Sequence, residues 1–268
     1  MNRLDARFAE LKSRGEGALV AFVTAGDPFP SRTADVICAL AEAGADVIEL
    51  GVPFSDPLAD GPTIQAASFR ALQGGMTPPK VLDAVREARA RGVTVPMVLM
   101  GAYNPVLQYG PTQFAQDAVA AGADGAIVTD VIPEEADTWK PIADAAGLAT
   151  IFLLAPTSTT ARMEAVGELA AGFIYCVSMT GITGTKEVVP SELPGLVSAI
   201  REHARETPVC VGFGVKTPEQ VKAICAFADG AVVGSSLVTL LHENREKPDV
   251  LTVVKEYVAS LKTATMGA

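Results

Sequence analysis

Histidine occurs twice and cysteine four times in the 268-residue chain, and neither is grouped as metal chemistry requires. Cys38, Cys176, Cys210 and Cys225 form no Cys-x-x-Cys pair and show no zinc-type spacing. Each sits in an apolar run, which predicts small buried hydrophobes in a reducing compartment. His203 and His242 stand far apart in helix-like stretches, so no metal site is expected. Lys and Arg number 21 against 31 Asp and Glu, a formal charge of −10. That balance excludes the clustered cations that grip a nucleic-acid backbone. A small phosphorylated ligand remains open, provided that oriented backbone N–H groups and helix N-termini hold it. No apolar run reaches the ~20 residues of a membrane-spanning helix. The opening MNRLDARFAELKSRGEG is charged and amphipathic, without a signal peptide's apolar middle. The expected location is cytoplasmic, with neither membrane nor nucleic acid as partner.

What is present is a series of short runs rich in Val and Ile. They span 19–24 (LVAFVT), 46–50 (DVIEL), 96–100 (PMVLM), 124–129 (DGAIVT), 148–154 (LATIFLL), 172–177 (GFIYCV), 208–213 (PVCVGF) and 229–234 (DGAVVG). Few alternate apolar with polar, as expected for parallel strands buried on both faces. Between them lie stretches of helical periodicity, at 31–44, 78–92, 111–122 and 190–204, several opening at Ser, Thr or Pro and closing at Gly. The phrase Ala-Gly-Ala-Asp precedes two strands, at 43–46 and 121–124, and Ala-Asp-Gly-Ala opens the last at 228–231. Eight units of about 30 residues predict an α/β fold, a (β/α)8 TIM barrel, with an extra N-terminal helix. Residues 1–268 read as one domain. An open doubly wound sheet is the alternative. It would be favoured by a Gly-x-Gly-x-x-Gly turn after the first strand, where the chain has Thr24-Ala-Gly-Asp-Pro28.

In a barrel the reactive groups gather at the C-terminal ends of the strands. Glu49 lies near the end of the second run, sharing a face with Val47, and a charge facing a barrel interior is costly unless used or paired. Its surroundings should raise its pKa and suit it to proton transfer. The following loop, 51–62 (GVPFSDPLADGP), holds three prolines that restrict Asp56 and Asp60, and Pro62-Thr63 opens the next helix. Glu49 and Asp60 can therefore face one pocket. The last two runs end in Gly212-Phe213-Gly214 and Gly234-Ser235-Ser236, and the second leads into a short helix at 235–241. Such paired turns often build a phosphate site. Residues 178–189 lack periodicity and carry Gly181 and Gly184, as a closing lid would. A Schiff-base aldolase would need a strand-end lysine; none of the runs contains one, and the nearest, Lys216, lies beyond a glycine turn.

The segment from Glu49 to Gln65 (ELGVPFSDPLADGPTIQ) closely resembles the signature of the tryptophan synthase α subunit family. Further similarity lies in Phe22–Pro28, Tyr103-Asn104-Pro105, Gly181–Gly184 and the two glycine turns, so it covers nearly the whole chain in order. The resemblance implies retro-aldol cleavage of indole-3-glycerol phosphate to indole and glyceraldehyde 3-phosphate. Glu49 would be the acid/base and Asp60 the second catalytic carboxylate. Tyr175 would be an active-site tyrosine, and Thr183 would engage Asp60 as the lid closes. Gly184, Phe213, Gly214, Gly234 and Ser235 would hold the phosphate, while Phe22, Met100, Ile127 and Leu153 would line the indole pocket. It implies no metal or cofactor in this chain and a β subunit carrying pyridoxal phosphate in an αββα assembly. Pro53, Asp56, Pro57, Asn104 and Pro105 would face that subunit. A free-standing lyase, and a non-catalytic barrel that activates a partner, are the alternatives.

Overall fold

A computed structural model describes residues 2–177, 189–212 and 214–266. Nine parallel strand segments form one sheet: β1 (Ala18–Thr24), β2 (Val47–Gly51), β3 (Met97–Gly101), β4 (Gly125–Val128), β5 (Ala149–Thr150), β6 (Leu153–Leu154), β7 (Ile174–Val177), β8 (Val209–Gly212) and β9 (Gly230–Val233). Their spatial order is β5-β4-β3-β2-β1-β9-β8-β7-β6. The two ends of that order are halves of one predicted run, separated only by Ile151 and Phe152. The Ile151 N–H donates to Ala126 O at 3.0 Å on one side, and Phe152 O accepts from the Tyr175 N–H at 2.9 Å on the other. The run therefore bridges both neighbours and the sheet closes into a TIM barrel of eight strands.

Each predicted helical stretch forms a helix: α2 (Thr33–Glu42), α4 (Pro78–Ala90), α6 (Pro111–Ala121) and α9 (Leu193–His203). Proline at the first helical turn of α3 (Pro62–Gln73), α4 and α6 fits a position whose N–H has no partner inside the helix. The outward strand residues pack on these helices, as with Ile48, Leu50 and Leu99 against Val36, Val81 and Val85. Inward residues form a separate core that includes Val20, Val47, Val98, Ile127, Ile151, Phe173, Cys210 and Val232. The extra helix α1 (Arg3–Arg14) belongs to it: Leu4, Phe8 and Leu11 bury their side chains there and close the base of the barrel. No helix among the described residues is long and apolar enough to cross a membrane.

The recurring Asp before a strand has a role that helix-stop chemistry did not suggest. Asp46 Oδ2 accepts from the Leu19 N–H at 2.7 Å, Asp124 Oδ2 from Met97 at 2.9 Å, and Asp229 Oδ2 from Val209 at 2.8 Å. Each carboxylate thus fastens its own strand to the first residues of the neighbour. Arg7 and Lys262 neutralise Asp46, Arg3 and Arg89 neutralise Asp124, and Arg201 pairs with Asp229. Arg3 and Arg7 both lie on α1, so the plug is tied to the base by charge as well as apolar contact.

Candidate active site

The opposite end of the barrel carries the polar strand ends. Glu49 follows Val47 on the inward face of β2 and stands beside Phe22 and Val98 in the strand register. Its side chain is fully buried, and neither carboxyl oxygen has a hydrogen-bond partner among the described residues. Burial raises its pKa from 4.5 to about 8. At neutral pH this carboxyl is mostly protonated, an acid waiting for a base.

Its register neighbour Phe22 lines a cleft of about 360 Å3, together with Gly51, Asp60, Ile64, Met100 and Thr129 among others. The loop after β2 brings Asp60 to its rim. The Asp60 N–H donates to Pro57 O at 3.2 Å, closing a turn, and Gln65 Nε2 on α3 donates to Asp60 O at 2.8 Å. The backbone is held from both sides and the carboxylate is left to the cleft. Partial burial raises its pKa to about 6, so at pH 7 it is ionised by about ten to one. Asp56, by contrast, is exposed and accepts from its neighbour Ser55 Oγ.

Tyr175 on β7 lies within electrostatic reach of both Glu49 and Asp60. Its phenol is held well above the usual tyrosine range, first by burial and then by the charges of Glu49, Cys210 and Asp60. A single side chain therefore feels both carboxyl groups. Its hydroxyl also explains one glycine: a Cβ on Gly212 would lie 2.6 Å from that oxygen. Gly51 does the same for Phe22, since a Cβ there would lie 2.8 Å from Phe22 Cζ. Met100, Leu153 and Tyr175 pack half-buried on the inner core, which places them at its upper edge, while Ile127 is fully buried within it.

The glycine turns end neighbouring strands. Gly214 follows β8 with φ +87°, and Gly234 precedes α11 (Ser235–Glu243), the helix expected there. Gly234 and Ser235 thus stand at that helix's N-terminus. Phe213, Thr183, Gly184 and the other residues of 178–188, where a lid is expected, fall outside the described residues. Asn104 and Pro105 lie on a short helix, α5 (Tyr103–Tyr109). Its first N–H, from Tyr103, donates to Asp130 just past β4. Several cleft residues escaped the sequence reading, among them Ile64, Ser68 and Thr129. Thr129 closes the fourth run, so the strand-end rule itself could have found it. Ile64 sits one turn into α3 behind a proline, and nothing in its surroundings marks it.

Residues 8–266 match the family described as tryptophan synthase alpha chain. The tryptophan synthase alpha chain of Geobacter sulfurreducens is 51% identical over 98% of this chain and 99% of its own length. That of Desulfatibacillum aliphaticivorans is 47% identical over the full length of both. Among solved structures, the alpha chain from Legionella pneumophila superposes with a TM-score of 0.91 at 38% identity, covering 99% of this chain and 97% of that one. An open form of tryptophan synthase from M. tuberculosis superposes with a TM-score of 0.89 at 36% identity, covering 99% of each chain.

Proposed function

The chain belongs to the tryptophan synthase alpha chain family, and on that premise we propose how its own residues cleave indole-3-glycerol phosphate to indole and glyceraldehyde 3-phosphate. The observation that carries the reading is the pair of carboxyl groups at one barrel mouth, lifted by burial to about 8 and about 6. Cleavage needs two carboxyl groups in opposite states, and the two environments separate them in that sense.

The bond that breaks joins ring carbon C3 of indole to the side-chain carbon bearing a hydroxyl. Neutral Glu49 protonates C3, and the ring becomes an indolenine with positive charge on its nitrogen. Ionised Asp60 stabilises that charge. Glu49, now a carboxylate, removes the side-chain hydroxyl proton. The O–H electrons form the aldehyde carbonyl as the C–C pair returns to the ring. Indole and glyceraldehyde 3-phosphate leave, and Glu49 is again neutral, so the proton balance closes within one residue. Positioned proton transfer of this kind typically contributes ~10² to 10⁴ in rate. Phe22, Met100, Ile127 and Leu153 supply the apolar wall for the ring, and Tyr175 stands against it. Gly214, Gly234 and Ser235, with Phe213 and Gly184, grip the phosphate through backbone N–H groups. Such a grip suits a chain of net charge −10. Thr183 engages Asp60 when the lid closes.

The α chain carries no cofactor; pyridoxal phosphate belongs to the β subunit with which tryptophan synthase alpha chains assemble. On this reading the chain forms an αββα complex through Pro53, Asp56, Pro57, Asn104 and Pro105. Residues 1–268 act as one domain, and the protein works in the cytoplasm, where Cys38, Cys176, Cys210 and Cys225 stay free thiols. Incubating the protein and its β chain with indole-3-glycerol phosphate tests the reading. Equimolar glyceraldehyde 3-phosphate and indole (or tryptophan, when serine is present) are expected. Absence of triose product in the full complex would leave only a partner-activating barrel.

A further inference from the structure

The turn leaving β8 is held by more than its own sequence. Ser236 Oγ, in the first turn of α11, donates to Val215 O at 2.9 Å. The hydroxyl of Tyr257, on α12 (Val250–Thr263), lies 2.9 Å from both Lys216 O and Ser236 Oγ. From the other side, the N–H groups of Lys216 and Thr217 donate to the buried Gln220 Oε1 at 2.9 and 3.2 Å. Residues 215–217 are therefore fixed through both carbonyls and amides, to α10 (Pro218–Cys225) below and to α11 and α12 beside them. Ser236 follows Gly234 and Ser235 directly, and Val215 follows Gly214 directly. One hydroxyl thus ties together the two turns that carry the phosphate-gripping backbone.

We propose that Tyr257 is a positioning residue for the substrate phosphate: its hydroxyl, through Ser236 and the Lys216 carbonyl, sets the distance and angle between the Gly214 turn and the N-terminus of α11. The inference rests on the reading of those turns as the phosphate site. Its physical basis is that backbone amides bind an anion well only when already oriented, because orientation then costs nothing on binding. A cationic site could drift and still attract phosphate over several ångströms; an amide cradle cannot. Tyr257 itself touches no substrate, so its loss should weaken the grip and leave the carboxyl chemistry in place.

Steady-state cleavage by the full-length protein with Tyr257→Phe tests this, with inorganic phosphate and indole as separate inhibitors. One hydrogen bond corresponds to roughly tenfold in affinity. KM and the inhibition constant for phosphate should each rise about tenfold, with kcat within about twofold and the inhibition constant for indole unchanged. Ser236→Ala should produce the same split, and the double variant should add little, because both remove one linkage. That pair keeps the test decisive if one variant folds poorly. Unchanged phosphate affinity in Tyr257→Phe, or equal losses for phosphate and indole, would overturn the inference. Ser235→Asp separates it from its premise, since a carboxylate at the α11 N-terminus should expel phosphate. If Ser235→Asp still binds phosphate normally, the phosphate-site reading fails; if it does not while Tyr257→Phe is normal, only the Tyr257 role fails.

Discussion

Replacing Glu49 with Gln should stabilise the protein, and the gain should depend on pH. The carboxyl is buried without a hydrogen-bond partner among the described residues, and burial raises its pKa from 4.5 to about 8. Below pH 4.5 it is neutral in both folded and unfolded chains and carries no penalty. Above that pH the unfolded chain ionises freely and the folded chain does not. Stability is therefore lost progressively as pH rises, until the folded group itself ionises near 8. At pH 7 the loss spans about 2.5 pH units at ~1.4 kcal/mol each, or about 3 kcal/mol, against under about 1 kcal/mol at pH 5. Gln keeps the shape of the neutral acid and cannot ionise, so it escapes the loss. Urea denaturation of both proteins at pH 5 and pH 7 should show a gap that widens by about 2 kcal/mol. In thermal unfolding, about 3 kcal/mol corresponds to roughly 6–12 °C. Parallel stability curves across that range would refute the reasoning, because they would mean that Glu49 ionises as readily folded as unfolded.

The rate of cleavage should be bell-shaped in pH, with an acid limb near 6 from Asp60 and an alkaline limb near 8 from Glu49; a profile flat from 5 to 9 would contradict the assignment. Gly212→Ala would place a methyl group 2.6 Å from the Tyr175 hydroxyl and force the ring aside, so turnover should fall on the order of tenfold or more while the fold survives, as judged by unchanged circular dichroism. Asp124→Ala should cost about 3–5 kcal/mol in urea denaturation. It strands Arg89, 13% exposed, and leaves the Met97 N–H without its carboxylate.

The barrel was legible because parallel strands buried on both faces leave a signal no surface element imitates, namely continuous Val and Ile runs at even spacing. Glu49 was legible for the same reason in reverse, as a charge within such a run. The alternation rule put it on the face of Val47, and both do face the interior. Contacts between distant segments were not legible. The Asp46, Asp124 and Asp229 strand fastenings could be seen as a recurring phrase, but their role depends on the neighbouring strand's first N–H, which only closure of the sheet supplies. The Tyr257–Ser236–Lys216 linkage joins residues up to 41 apart in sequence through hydroxyls that carry no pattern. The same holds for Asp27, whose carboxylate takes Arg70 Nε and Nη2 at 2.6 and 2.9 Å and so binds the first loop to α3. The split of the fifth run into β5 and β6 also follows from closure, since each half answers a different neighbour.

Cleavage depends on one proton that Glu49 first gives and then takes back. Indole release from indole-3-glycerol phosphate by Glu49→Gln, assembled with its β subunit, tests it most directly. Turnover should fall by at least ~10² with substrate affinity little changed. Turnover near that of the unaltered protein would contradict it.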